Sequence, residues 1–240
     1  MIDIVEKFRA QANPQTAAAQ AAYMRNQFEF IGLKTPERRE LSKNFLSEKS
    51  RSNQVDWPMV WALWYLPERD FQYLACDYLV KMKKYLQFSD MEKIKKLAVT
   101  KSWWDTVDNL DKLVSALLLP KKDKKAREIT DENFSEQGQR EKILTEIKNW
   151  ASDENFWVRR LAIDCQLTFK EKTDTELLKF VIEQNLVGSQ FADEFFINKA
   201  IGWALRDFSK SNPVWVKNFL HEHEEKMAKL SLREASKYLK

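Results

Sequence analysis

The chain has 240 residues and a net charge of +4; 32% of its residues are charged, 44% are apolar, and only 4 are glycine and 6 proline. So few punctuating residues exclude a β-sandwich or a doubly wound sheet, and the charged and apolar mix is that of amphipathic helices. The mild basicity falls short of a polycationic tail, so the placement of positive charge matters more than its total.

Apolar residues recur with period 3.6 along most of the sequence. This pattern predicts helices over 2–11, 14–31, 36–49, 57–65, 68–85, 89–99, 103–118, 140–150, 155–170, 174–185, 194–208, 213–220 and 231–239. Asn13-Pro14, Thr35-Pro36 and Asn212-Pro213 place proline at a first helical position behind a capping residue, and Asp56-Trp57-Pro58 is similar. The charged start "MIDIVEKFRA" lacks an apolar signal run. No stretch reaches ~18 uninterrupted apolar residues, so a cytoplasmic protein without a membrane span is expected. Cys76 and Cys165 stand alone in apolar helical contexts and read as buried thiols.

The segments "RDFQYLACDYL", "KSWWDTVDNLDKL", "ENFWVRRLAIDCQL" and "DEFFINKAIGWALRDF" share a polar-then-aromatic opening, and "LSLREASKYL" is a shorter relative. Their spacing is about 32 to 39 residues except for one interval near 54, the range of helix pairs stacked into an α-solenoid. The expectation is therefore an all-α superhelix of about six HEAT-like helix-pair repeats forming a single domain over residues 1–240. The long interval holds "PKKDKKAREITDENFSEQGQR" (120–140), which lacks apolar periodicity and reads as an inserted mobile loop.

At 100° per residue, Trp103, Val107, Leu110, Val114 and Leu117 form an apolar core stripe. Trp104, Asp108, Asp111 and Ser115 form a second stripe on the same helix, so Trp104 shares a face with carboxylates. In the helix from 194, Ile197, Ala200, Ile201, Ala204 and Phe208 point inward, whereas Lys199, Gly202, Trp203 and Arg206 lie on the far side. Gly202 is read as leaving that face open to close approach. In the helix from 155, Trp157, Leu161 and Cys165 point inward, while Arg159 and Arg160 project elsewhere. Taken singly, each off-stripe tryptophan or charge has an ordinary structural reading; their coincidence is the functional signal.

The chain has no Gly-rich phosphate loop, Cys-x-x-Cys, His-Glu-x-x-His or G-x-S-x-G. Two histidines, His221 and His223, diverge on a helix and are poor metal ligands. An enzyme built from this sequence would have to use carboxylate, indole and water. From periodicity alone, a non-catalytic HEAT-like solenoid binding damaged DNA or a protein partner comes first.

Four long segments, "TKSWWDTVDNL", "AAYMRNQFEFIGLKTPERR", "LPERDFQ" and "FFINKAIGWALRDF", change that order. With them the chain resembles, over about residues 14–239, the bacterial AlkD-type alkylpurine DNA glycosylases, the HEAT-like repeat glycosylase family of DNA alkylation repair enzymes. The resemblance implies base excision repair: removal of cationic N3- and N7-alkylated purines from double-stranded DNA, without base flipping, metal or cofactor. It implies that Asp108 is the catalytic aspartate and that Trp104 and Trp203 flank the sugar. Arg160 becomes the lesion-proximal arginine, and Arg206, Lys199 and Trp103 further DNA contacts. Tyr23 belongs to the groove-probing N-terminal motif, with Thr35 and Arg39 as backbone contacts. A monomer, cytoplasmic and nucleoid-associated when bound to DNA, is the corresponding expectation. The 120–140 stretch is longer than the family pattern, and the chain stops soon after "SLREASKYLK".

Overall fold

The computed structural model describes residues 2–119 and 136–239. These residues form an all-α fold of thirteen helices; among them the only β pairing is an isolated parallel bridge between Glu29 and Glu68. The chain divides into two compact units, Met1–Leu86 and Gln87–Lys240.

The first unit holds α1 (Ile2–Arg9), α2 (Pro14–Tyr23), α3 (Thr35–Lys49), α4 (Trp57–Trp64) and α5 (Arg69–Met82). Side-chain caps start α2 and α4: Asn13 Oδ1 accepts from the Thr16 amide at 2.9 Å and Asp56 Oδ1 from the Met59 amide at 3.0 Å. Helix α3 starts differently from expectation. Lys34 is its N-cap residue, Thr35 is already helical, and Glu37 closes the turn by accepting from the Lys34 amide at 2.9 Å.

The helix expected over 14–31 stops at Tyr23. Arg25 and Asn26 take left-handed conformations (φ 57° and 54°), and the chain then runs on without regular structure to α3. Buried Asp70 holds this segment, accepting from the amides of Ile31 at 2.7 Å and Leu33 at 3.3 Å. Its apolar residues had suggested helical periodicity, but their backbone donors are satisfied by a carboxylate from α5. Gly32 sits between them at φ +94°, where a Cβ would lie 2.2 Å from the Asn13 carbonyl oxygen.

The second unit holds α6 (Met91–Ala98), α7 (Trp104–Leu118), α8 (Glu136–Trp150), α9 (Phe156–Asp164), α10 (Thr175–Glu183), α11 (Phe195–Phe208), α12 (Pro213–His223) and α13 (Lys229–Ala235). Helices α7, α9, α11 and α13 pack in series, while α6 leans on α7, α8 and α10 on α9, and α12 on α11. The expected core stripe of α7 is buried at all five positions. Of the expected insertion, residues 120–135 lie outside the described residues, and 136–140 belong to α8.

Helix α9 departs most from its sequence reading. It ends at Asp164, well short of 170, and Thr168 and Lys170 beyond it are left-handed (φ 69° and 56°). Every residue from Trp157 to Asp164 is buried, so Arg159 and Arg160 point into protein. Arg159 is absorbed by the Asp153 and Ser152 carbonyls and by Asn185.

The Asp70 arrangement is testable by mutation. Asp70→Asn turns a donor toward one of two amide donors and is expected to lower unfolding stability by about 1–3 kcal/mol in urea titrations. Unchanged stability would mean that these amides find acceptors elsewhere.

Candidate active site

The site is built where α7 begins. Lys101 is left-handed (φ 52°) and Trp103 fully extended (φ −163°), which turns adjacent indoles in different directions. Trp103 is the N-cap residue and is buried against Phe196, with ring centroids 5.2 Å apart, and against Trp157 at 5.9 Å. Named above as a DNA contact, it serves instead as part of an aromatic core behind the site. Trp104 is the first helical residue and remains half-buried. Asp108 stands four residues on, one turn above it on the same face.

Asp108 keeps 19% of its side chain exposed, whereas that of Arg160 is 2% exposed. The guanidinium chelates the carboxylate: Nε donates to Oδ1 at 2.8 Å and Nη2 to Oδ2 at 3.0 Å. Its remaining nitrogen, Nη1, donates to the Phe196 carbonyl at 2.7 Å. The half-buried Trp203 ring lies 5.5 Å from the same guanidinium and 5.9 Å from that of Arg206. Asp108, Arg160 and Trp203 thus converge, with Trp104 one turn before Asp108 on α7 and the carboxylate as the member whose charge meets solvent. Arg160 itself has no face turned outward for a phosphate; its contacts make it the support of Asp108.

Two further carboxylates stand near Arg160, and neither was singled out as a partner from sequence. Asp164 is buried, 3.6 Å from Nη2, and Asp111 is buried on α7 one turn from Asp108. Burial pushes the Asp111 carboxyl well above the usual range, and the charges of Asp164 and Asp108 add to this. Burial likewise raises Asp164, to about 7, with Arg160 opposing and Asp108 reinforcing the rise. Burial also works against the Arg160 cation, but Asp164, Asp108 and Asp111 together outweigh it and the net direction is upward. The neighbouring Cys165 thiol is driven up by burial, away from nucleophile chemistry.

The family described as "DNA alkylation repair enzyme" matches residues 4–239. The chain belongs to the DNA alkylation repair enzyme family. A solved structure of a predicted DNA alkylation repair enzyme from Enterococcus faecalis is similar to it, with 34% identity and a TM-score of 0.78 over 95% of this chain and 97% of that one. No curated protein matches the chain. Membership identifies an enzyme of alkylation repair.

In this family member the cations of α11 gather on one acid. Glu234 of α13, almost fully buried, accepts from Lys199 at 2.9 Å, Arg206 at 2.7 Å and Lys237 at 2.7 Å. Lys237 and Lys199 hold its carboxyl down near 2. Gly202 lies beneath this group, and a Cβ there would stand 2.5 Å from Glu234 Cβ and 3.3 Å from the Ser231 carbonyl oxygen. The close approach anticipated at Gly202 is therefore that of α13, not of a ligand.

In the first unit, Tyr23 is 72% exposed at the end of α2, and Thr35 and Arg39 are exposed on the first turns of α3. His223, one of the two weighed as metal ligands, is buried with its ring nitrogens 2.9 Å from the Phe219 carbonyl oxygen and 3.0 Å from Glu183 Oε1. Among the described residues, no cluster of His, Cys, Asp and Glu is arranged to hold a metal ion. Among them, too, no helix is long and apolar enough to cross a membrane.

Glu234 had a visible trace in "SLREASKYL", where it is an acid facing three basic residues in the fold. The signal for Asp164 was its i,i+4 spacing from Arg160, which went unread because α9 was assigned a wet face. Gly202→Ala tests the α11–α13 contact: overpacking there is expected to cost about 1–3 kcal/mol by urea denaturation, outweighing the ~1 kcal/mol that alanine gains in helix propensity. A stabilised variant would show that α13 can retreat freely.

Proposed function

We propose that the protein is a DNA glycosylase that hydrolyses the N-glycosidic bond of N3- and N7-alkylated purines in double-stranded DNA. One observation carries the reading: Asp108 is a solvent-reaching carboxylate clamped from behind by buried Arg160, with half-buried indoles at Trp104 and Trp203 beside it.

That arrangement suits a particular bond-breaking step. An alkylated purine already bears positive charge and departs as a neutral base, so no general acid is needed. What then requires stabilisation is the sugar, which becomes oxocarbenium-like as the bond lengthens. A fixed carboxylate stabilises that cation and can hold the attacking water. Arg160 orients the carboxylate through the bond from Nε to Oδ1, so little reorganisation is left for the transition state. Indole faces at Trp104 and Trp203 offer negative π-density to the deoxyribose and to the cationic lesion. The mechanism calls on no metal or cofactor.

On this reading the base stays stacked in the duplex, and bulky adducts are tolerated because they need not enter the protein. Phosphate contacts fall to Lys199 and Arg206, which share one buried acid with Lys237 and so leave that cluster with excess positive charge. Tyr23, Thr35 and Arg39 are proposed to engage the DNA backbone from the first unit, with the protein acting as a monomer.

Asp108→Asn is expected to slow release of 7-methylguanine from duplex DNA by on the order of 10²-fold, the scale of losing a preorganised electrostatic group, with duplex affinity little changed. Unaltered base release would remove Asp108 from the chemistry. Arg206→Ala is expected to weaken binding across all sequences and to reduce the slope of log affinity against log salt by about one; fluorescence anisotropy over a salt series reads this directly. Uracil, a neutral lesion, is expected to be released poorly, and efficient release would contradict the leaving-group argument.

A further inference from the structure

One buried cation, Arg160, faces three carboxylates. Asp108 takes two of its hydrogen bonds, whereas neither Asp164 oxygen nor Asp111 Oδ1 has a hydrogen-bond partner, although all three atoms are shut off from solvent. Nη2 is the contested group: it is 3.0 Å from Asp108 Oδ2 and 3.6 Å from Asp164 Oδ2. The second distance is within ion-pair range but beyond a hydrogen bond. Nη2 carries two hydrogens, so a shift of well under an ångström would bring Asp164 into hydrogen-bond range of the second and stretch the bond to Asp108.

We propose that Asp164 is a positioning residue that competes with Asp108 for Nη2 of Arg160, so that its ionisation frees Asp108 Oδ2 to act on the substrate sugar and its water. With Asp164 protonated, Nη2 stays on Asp108 and the pair is close to neutral. When Asp164 gives its proton to bulk water, it draws Nη2 toward itself. Asp108 then keeps the Nε bond for orientation and carries more uncompensated negative charge at its exposed face. The added charge favours a cationic transition state, so the rate rises with pH as Asp164 ionises. Asp164 is raised to about 7, which places this handover near neutrality.

Charged and polar groups face this cluster from each neighbouring helix. Helix α7 supplies Asp108 and Asp111, with Lys112 acting on Asp111; α9 itself supplies Arg160 and the Cys165 thiol. The start of α10 supplies Asp174, which acts on Cys165. From α11 come the Phe196 carbonyl and the Trp203 ring, both on Arg160. Lys95 of α6 and Glu146 of α8 act around Asp153, which precedes α9 at the end opposite Asp164.

The inference rests on the glycosylase reading, and its test separates the two. Single-turnover release of 7-methylguanine from a duplex oligonucleotide is measured from pH 5.5 to 8.5 for the unaltered protein, Asp164→Asn, Asp164→Leu and Asp111→Asn. Titration of the substrate itself cancels in the ratio of unaltered to variant rates. That ratio is expected to be near one at the acid end for Asp164→Asn and to climb to about tenfold above pH 7, the scale of one nearby unit charge. Asp164→Leu, which fills the site without a polar group, is expected to follow the same curve. A ratio independent of pH for both Asp164 variants overturns the proposal, as does loss of the step in Asp111→Asn alone. Carbon-13 NMR of the Asp108 carboxyl supplies a readout without substrate. Its resonance is expected to respond near pH 7 in the unaltered protein and not in Asp164→Asn; the same response in both refutes the handover. Absence of base release at every pH would sink the glycosylase reading alone, leaving the NMR comparison to decide the role of Asp164.

Discussion

The chelate between Arg160 and Asp108 is the constraint on which the second unit depends. Removing a guanidinium from water costs several kcal/mol, and the cost is offset only by complete hydrogen bonding and opposite charge. Asp108 on α7, the Phe196 carbonyl on α11 and the Trp203 ring on α11 supply three hydrogen bonds, a negative charge and a π-face around an arginine on α9. Three helices are thus registered by one side chain. Removing the arginine would strip buried Asp164 of the cation beside it, the kind of loss that costs about 3–5 kcal/mol in a buried pair. The geometry of the candidate site and the packing of the helices are here the same set of contacts.

Charge in this unit is organised around two hubs of opposite sign. Arg160 is a single cation among three acids; Glu234 is a single acid among three cations. The Trp203 indole lies near the guanidiniums of both Arg160 (5.5 Å) and Arg206 (5.9 Å). On the proposed reading, a nucleotide carries both charges that such an arrangement can sort: a phosphate suited to the basic hub, and an alkylated base with its incipient sugar cation suited to the acidic one.

Much of this was present in the sequence wherever a helix has one wet and one dry face. The α7 stripe, the Asn13, Asp56 and Asn212 caps, and the separation of Trp104 from Trp103 all follow from local periodicity and capping chemistry. Periodicity loses its meaning for α9, where polar residues are buried because partners on other helices receive them. It misled again over residues 24–31, where apolar residues pack beside a backbone held by Asp70, 39 positions downstream of Ile31. Gly202 was conspicuous in the sequence, but only the position of α13 reveals what occupies the space. In each case the missing information was a long-range partner, which no window of neighbouring residues contains.

The complete enclosure of α9 has a consequence for how the protein moves. A helix with an exposed side can fray or exchange its amide hydrogens through small local openings, whereas α9 is covered by neighbours on every side from Trp157 to Asp164. Its deuterium uptake must await cooperative opening of the surrounding helices, among the slowest events available to a folded chain. The arginine that chelates Asp108 is therefore mounted on a stretch of backbone whose opening requires its neighbours to open too, so that fraying of outlying loops leaves the Asp108 chelate in place.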